Sequence, residues 1–395
     1  MQNSNTYLDH NATSTILPEV ASAMNELTQS SLANPSSPHW AGREARNILE
    51  NSRAKLANYL GVKPREIFFT SGGSESNNTV IRQSLLIEGE KHLISSSVEH
   101  PSVLDTCEIV AKKQNIEFTK LSVDSRGKIS PEELFREIRP ETFLISIMSA
   151  NNETGNIHSI EEFCEISKKK NILFHTDITQ SFCKININLS KIGVDYATAT
   201  AHKIGGPCGI GLLYVKDKTP IYSLITGGNQ ERARRAGTEN VILAVGFSKA
   251  VEWFFNNQSQ LRKNFIEYRK IIFEKISKLD EIFINTNLDN SLHHTLNFGL
   301  HGISAESLLI SLDLDGIAVS TGSACSSGSL EASPVLLAMG VSHSDAKSSL
   351  RVSFGWSTTK KEIDYFCERL IYHIIRIKKK QNQNLKRLEF AKFSL

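Results

Sequence analysis

ILFHTDITQSFCKININLSKIGVDYATATAHKIGGPCGIGLLYV, residues 172–215, decides the fold. Three runs in it, 172–177, 195–200 and 211–215, are nearly continuous in apolar and small residues. Strands buried on both faces of a mostly parallel sheet read this way, because a solvated face would bring alternating polar positions. Working outward, residues 66–70, 92–96 and 143–148 repeat the pattern. Between them, 131–139 and 159–170 carry helix-start chemistry (Ser130 before Pro131, Ser159 before Glu161 and Glu162) and basic last turns, as crossover helices do. The pattern predicts an α/β fold. After Val241 it changes to a long helical stretch ending near residue 278, then to an irregular alternation of strands and helices. A chain of 395 residues exceeds what one core fills. The expected division is a large domain over 16–258 and a smaller α+β domain made of 1–15 and 259–395.

Composition excludes several classes. A formal net charge of +3 lacks the dense basic face that nucleic-acid phosphates require, so no direct nucleic-acid partner is expected. No apolar run approaches the ~18 residues that would span a bilayer. The polar first residues show no apolar leader core or Arg-rich presequence, which leads us to expect a cytoplasmic protein. The six cysteines form no CxxC pair, arguing against a zinc knuckle or a disulfide framework, and no metal site is expected.

Three features fall at the ends of successive predicted strands, where open α/β sheets bind ligands. The first is Thr70-Ser71-Gly72-Gly73-Ser74-Glu75-Ser76-Asn77-Asn78, opening a helix. Small residues and a helix N-terminus suit an anion such as phosphate, although a simple capping turn also explains them. The second is His175-Thr176-Asp177-Ile178-Thr179-Gln180. Asp177 could keep a pyridinium protonated and make the ring an electron sink, or it could merely cap a helix. The third is Thr198-Ala199-Thr200-Ala201-His202-Lys203, followed by a glycine-rich turn. A lysine there can lose its charge by desolvation and form a Schiff base, though a lone lysine before such a turn is ordinarily a surface residue.

In this order, the segments SGGSESNN (71–78), EHPSV (99–103), ANNETG (150–155), HTDITQ (175–180), AHKIGGPCGIG (201–211), GGNQERARRAGTENV (227–241), STGSACSSGSLE (320–331) and LRVSFG (350–355) give the chain a specific likeness. It resembles the class V aminotransferase-fold enzymes that use pyridoxal phosphate, and among them the NifS/IscS type of cysteine desulfurase. The resemblance implies the type I fold of pyridoxal-phosphate transferases and conversion of L-cysteine to L-alanine. It implies that Gly73 and Ser74 meet the cofactor phosphate, that Asn152 and Gln180 lie near its hydroxyl, and that Asp177 partners the ring nitrogen. Thr200 and His202 precede the Schiff-base Lys203. His100 stacks on the ring and handles protons. Thr238 reaches the cofactor phosphate of the neighbouring subunit, hence a homodimer. Arg351, with Asn152, binds the substrate, its planar fork suiting a carboxylate.

Cys325 lies in Ser320-Thr321-Gly322-Ser323-Ala324-Cys325-Ser326-Ser327-Gly328, small and polar as a mobile loop at about 320–330 should be. We expect its thiolate to attack the substrate sulfur and leave as a persulfide bound for a sulfur-acceptor protein, in iron–sulfur assembly, transfer-RNA thiolation or a DNA-sulfur pathway. An unperturbed thiol is largely protonated near neutrality, so His100 is expected to assist. A selenocysteine lyase or another class V lyase would share the cofactor elements without needing the loop thiol. Cys208, where the family commonly has lysine, is expected to be a bystander. Arg232, Arg234 and Arg235 serve either the subunit interface or the phosphate.

Overall fold

The computed structural model describes residues 5–392 except 31, 87, 90, 115 and 323–330. It divides into two compact units: Thr13–Asn152 with Asn156–Leu261, and a smaller one holding residues up to Ala12, Glu153–Gly155 and residues from Arg262 onward.

The larger unit is built on a seven-stranded sheet in the order Ile67–Thr70, Gly211–Val215, Tyr196–Thr200, Leu173–Asp177, Thr142–Ser146, His92–Ser96, Glu117–Leu121. All neighbours are parallel except Gly211–Val215, which runs antiparallel to both of its partners. The mostly parallel α/β sheet is as expected. Its central strands are buried along their length, which is why they read as apolar runs. The edge strand Glu117–Leu121 was not anticipated. It is mostly half-exposed and mixes Glu, Thr and Lys with its apolar residues, so it carries neither a continuous run nor a clean alternation. Phe68, Leu93, Leu144, Tyr196 and Leu213 pack one cluster of the core. Each such side chain contributes roughly 1.5–3 kcal/mol by leaving water.

Helix Pro131–Glu137 begins as its sequence suggests: Ser130 Oγ accepts the Glu133 N–H at 3.1 Å and Pro131 fills a position needing no donor. Helix Ile160–Lys169 starts after Ser159, but that serine makes no capping bond; the acids of the first turn, Glu161 and Glu162, favour the start instead.

In the smaller unit, strands Ser349–Ser353, Thr295–Leu300 and Ile282–Ile284 form an antiparallel sheet in that order. Thr6–Tyr7 pairs in parallel with Ile317–Ala318. Helices Ala305–Leu314 and Lys360–Lys392 pack together.

Candidate active site

The strand ends of the larger unit converge. Ile67–Thr70 delivers the glycine loop, with Gly72 at the cap position of helix Gly73–Ile81. Because glycine has no side chain to cap with, the first-turn N–H groups, which lack intrahelical acceptors, stay available to an anion. A Cβ on Gly72 would meet nothing within 4 Å, and one on Gly73 would come only within 3.5 Å of Thr179 Oγ1. Behind the loop the fit is tight: a Cβ on Gly211 would fall 2.6 Å from the Gly72 carbonyl carbon, so only glycine lets the returning strand pass. Ser74 is exposed on the helix's first turn.

Asp177 ends its strand nearly buried, at 7% exposure. Its Oδ1 accepts the Thr179 N–H at 2.9 Å and its Oδ2 accepts from Asn77 Nδ2 at 2.8 Å. No lysine, arginine or histidine of the described residues forms an ion pair with it. The same Asn77 amide nitrogen donates to Ser102 Oγ at 2.9 Å, and that oxygen lies 2.8 Å from His100 Nδ1. The Ser102 backbone N–H also points at Nδ1, at 3.1 Å, so Nδ1 is an acceptor and a neutral ring carries its proton on Nε2. Burial and, less strongly, the Lys203 charge hold His100 below the ordinary histidine range, against the pull of Asp177.

Lys203 sits half-buried in a single 3-10 turn, Ala201–Ile204, closed by Gly205 in the left-handed region. Residues 13–17 clasp that turn: the Ser14 N–H donates to His202 O at 2.7 Å, Ser14 Oγ to Lys203 O at 3.4 Å, and the Leu17 N–H to Gly205 O at 2.9 Å. His202 Nδ1 lies 3.2 Å from Thr13 Oγ1, and burial pushes the ring down to about 4, so it is neutral. Thr200, at the end of its strand, donates its hydroxyl to Ile210 O at 3.2 Å. Gln180 is buried three residues beyond Asp177, and Asn152 is half-buried in the 150–157 turn. Thr238 is exposed.

Sequence reasoning assigned no role to several residues that order this site. Asn77 and Ser102 link Asp177 to His100. Glu99 is buried, its Oε1 accepting the Met148 N–H and the Ser96 hydroxyl at 2.7 Å each; burial pushes it up to about 8. The nitrogen of Lys184 is buried without a hydrogen-bond partner among the described residues, and burial, reinforced by Lys203, pushes it down to about 7. The only available signal was that these residues fall inside the quoted segments or just after them.

In the smaller unit, Arg351 is 3% exposed and its Nη2 donates to Asp9 Oδ1 at 2.7 Å. Its backbone bridges Ser320, the start of the cysteine loop. Ser333 Oγ, just past that loop, donates to Glu153 Oε2 at 2.5 Å, and a Cβ on Gly322 would come within 2.6 Å of the same oxygen. Glu153 thus marks where both ends of the loop meet. Cys325 itself lies outside the described residues. Of the described cysteines only Cys208 is exposed, 3.9 Å from Thr13 Oγ1. Among the described residues no cluster suits a metal ion, and no helix is long and apolar enough to cross a membrane.

An uncapped anion cradle, an unmatched carboxylate and a half-buried lysine at strand ends of one sheet fit pyridoxal phosphate, whose phosphate would suit the first, ring nitrogen the second and carbonyl carbon the third. The class-V aminotransferase family model matches residues 6–366. The cysteine desulfurase IscS of Dictyoglomus turgidum is 42% identical over 363 residues, 91% of this chain and 92% of its own. Among solved structures, a NifS-like protein superposes with a TM-score of 0.88 at 36% identity, covering 93% of this chain and 98% of its own. SspA in complex with cysteine gives 0.78 at 35% identity, over 88% and 98%. The chain therefore belongs to the class-V aminotransferase family, among its IscS- and NifS-type cysteine desulfurases.

Proposed function

We propose that this pyridoxal-phosphate enzyme converts L-cysteine to L-alanine and leaves the sulfur on Cys325 as a persulfide. The observation that supports it best is the chain Asp177–Asn77–Ser102–His100 beside Lys203, which holds one carboxylate and one neutral imidazole in fixed relation. When bound, the cofactor supplies a carbonyl carbon that amines attack and a ring that stores electrons. Lys203 gives the amine that holds it and, once displaced by the substrate amine, moves protons. Asp177 keeps the ring nitrogen protonated by its unmatched negative charge. His100, neutral near pH 7, can take a proton from a thiol. Gly73, Ser74 and Thr238, the last from a second copy of the chain, hold the phosphate. Asn152, Gln180, Thr200 and His202 line the ring, and Arg351 takes the substrate carboxylate. As the S–S bond forms to Cys325, the Cβ–Sγ bond of the substrate breaks. Its electron pair stays on carbon, which gains a proton and becomes the methyl of alanine.

The persulfide then passes to an acceptor protein of iron–sulfur assembly or thiolation, in a cytoplasmic homodimer. Incubation with pyridoxal phosphate and L-cysteine should yield alanine and a mass increase of one sulfur on Cys325. Lys203→Ala should lose both the visible cofactor band and alanine. Cys325→Ser should lose alanine and persulfide, and Cys208→Ser neither. A visible band without alanine would instead favour another class V lyase or an aminotransferase.

A further inference from the structure

Three arginines precede Gly237, and the structure separates them. Arg232 reaches Glu50 at 3.6 Å, and Arg234 lies over the Phe68 ring at 4.8 Å. Arg235 instead donates from Nε to Glu75 Oε1 at 2.9 Å and from Nη2 to Oε2 at 3.3 Å. Glu75 is the third residue of helix Gly73–Ile81, and its Oε2 also accepts the Ser71 N–H at 2.8 Å. The carboxylate therefore shapes the glycine loop while placing a negative charge within a turn of the N–H groups that suit an anion. Its side chain is only 8% exposed, so water screens little of that charge.

The segment that presents Arg235 is held under constraint. Glu231, Arg232 and Ala233 have φ of 46°, 59° and 61°, a left-handed run that non-glycine residues rarely adopt. Glu231 anchors it: its carboxylate accepts two bonds from Arg53 at 2.7 and 2.8 Å and the Phe69 N–H at 3.1 Å. Arg53 in turn donates to Ile67 O at 2.8 Å. Ile67 and Phe69 belong to the strand that leads into the loop, so one strap is fastened both to the loop's stem and, through Arg235, to its helix.

We propose that Arg235 is a positioning residue for the cofactor phosphate, neutralising Glu75 so that this carboxylate can shape the 71–75 loop without repelling a dianion. This rests on the pyridoxal-phosphate reading above. The full chain, stripped of cofactor, is titrated with pyridoxal phosphate and separately with pyridoxal, which lacks the phosphate, by the visible band. Arg235→Gln should weaken pyridoxal phosphate about tenfold, from one uncompensated charge near the anion, and leave pyridoxal unchanged. Glu75→Gln, which keeps an acceptor for Ser71, should bind pyridoxal phosphate at least as tightly as wild type. The double variant should return to within about threefold of wild type. Equal weakening of both ligands by Arg235→Gln, or a double variant as weak as that single one, would show a merely structural role and overturn the proposal. If Arg235→Gln does not fold, weaker phosphate-ligand binding by Glu75→Gln overturns it alone. Failure of the wild type to bind either ligand would instead refute the cofactor reading on which it stands.

Discussion

Around Asp177 in the larger unit, the charge is left unmatched and its connections run through neutral groups, Asn77, Ser102 and His100. Around Arg351 in the smaller unit, charge meets charge directly: the guanidinium pairs with Asp9, and burial raises the nearby Glu153 carboxyl against the opposing pull of the guanidinium. The first arrangement leaves a negative charge that only neutral donors contact among the described residues, which is what the proposed pairing with a ring nitrogen requires. The second already pairs its charge, so under the proposed role of Arg351 a substrate carboxylate would have to share the guanidinium with Asp9.

Replacing Asp177 by Asn breaks the first arrangement outright, because the amide cannot hold a ring nitrogen protonated. Alanine formation should fall on the order of 10²–10³-fold while the visible cofactor band persists, as read by stopped-time alanine assay and absorbance. Arg351→Lys keeps the charge but loses the fork. KM for L-cysteine should rise about tenfold with kcat changed much less, and steady-state kinetics would show it.

Asn77→Ala cuts the neutral linkage. It should cost a few-fold in kcat/KM, roughly 1–3 kcal/mol of stability, and displace the acid limb of the pH–rate profile, which His100 otherwise holds below the ordinary histidine range. The smallest effect concerns Glu99, whose folded carboxyl keeps its proton to about pH 8 against an ordinary value of 4.5. Between those values the native state binds one more proton than the unfolded chain, so this residue costs stability as pH rises across that window. Glu99→Gln cannot lose the proton. Its Tm should exceed that of wild type by a margin that grows from pH 5 to pH 8, and a constant difference would show that Glu99 is ionised in the fold.

Much of the larger unit was legible because strands buried on both faces leave apolar runs that sequence displays directly. The edge strand Glu117–Leu121 was not, since half of it faces solvent. The placement of Asp177, Lys203 and the 71–78 loop at strand ends followed from the order of those runs. The links among them did not. Asn77 bonds a side chain 100 residues away and Arg235 one 160 residues away, and nothing local marks either pairing. Asp9 and Arg351, 342 residues apart, show the same limit, since a carboxylate near the first strand gives no sign of which cation it meets.

The antiparallel return of Gly211–Val215 has a further result. The turn bearing Lys203 is the tip of a β-excursion whose descending limb touches the anion loop at Gly72, backbone to backbone. The approach of the strand that follows the lysine turn to the anion loop is therefore set, at that point, by main chain meeting main chain. A side chain larger than hydrogen at residue 211 would push the anion loop away from the lysine turn and lengthen the molecule able to engage both.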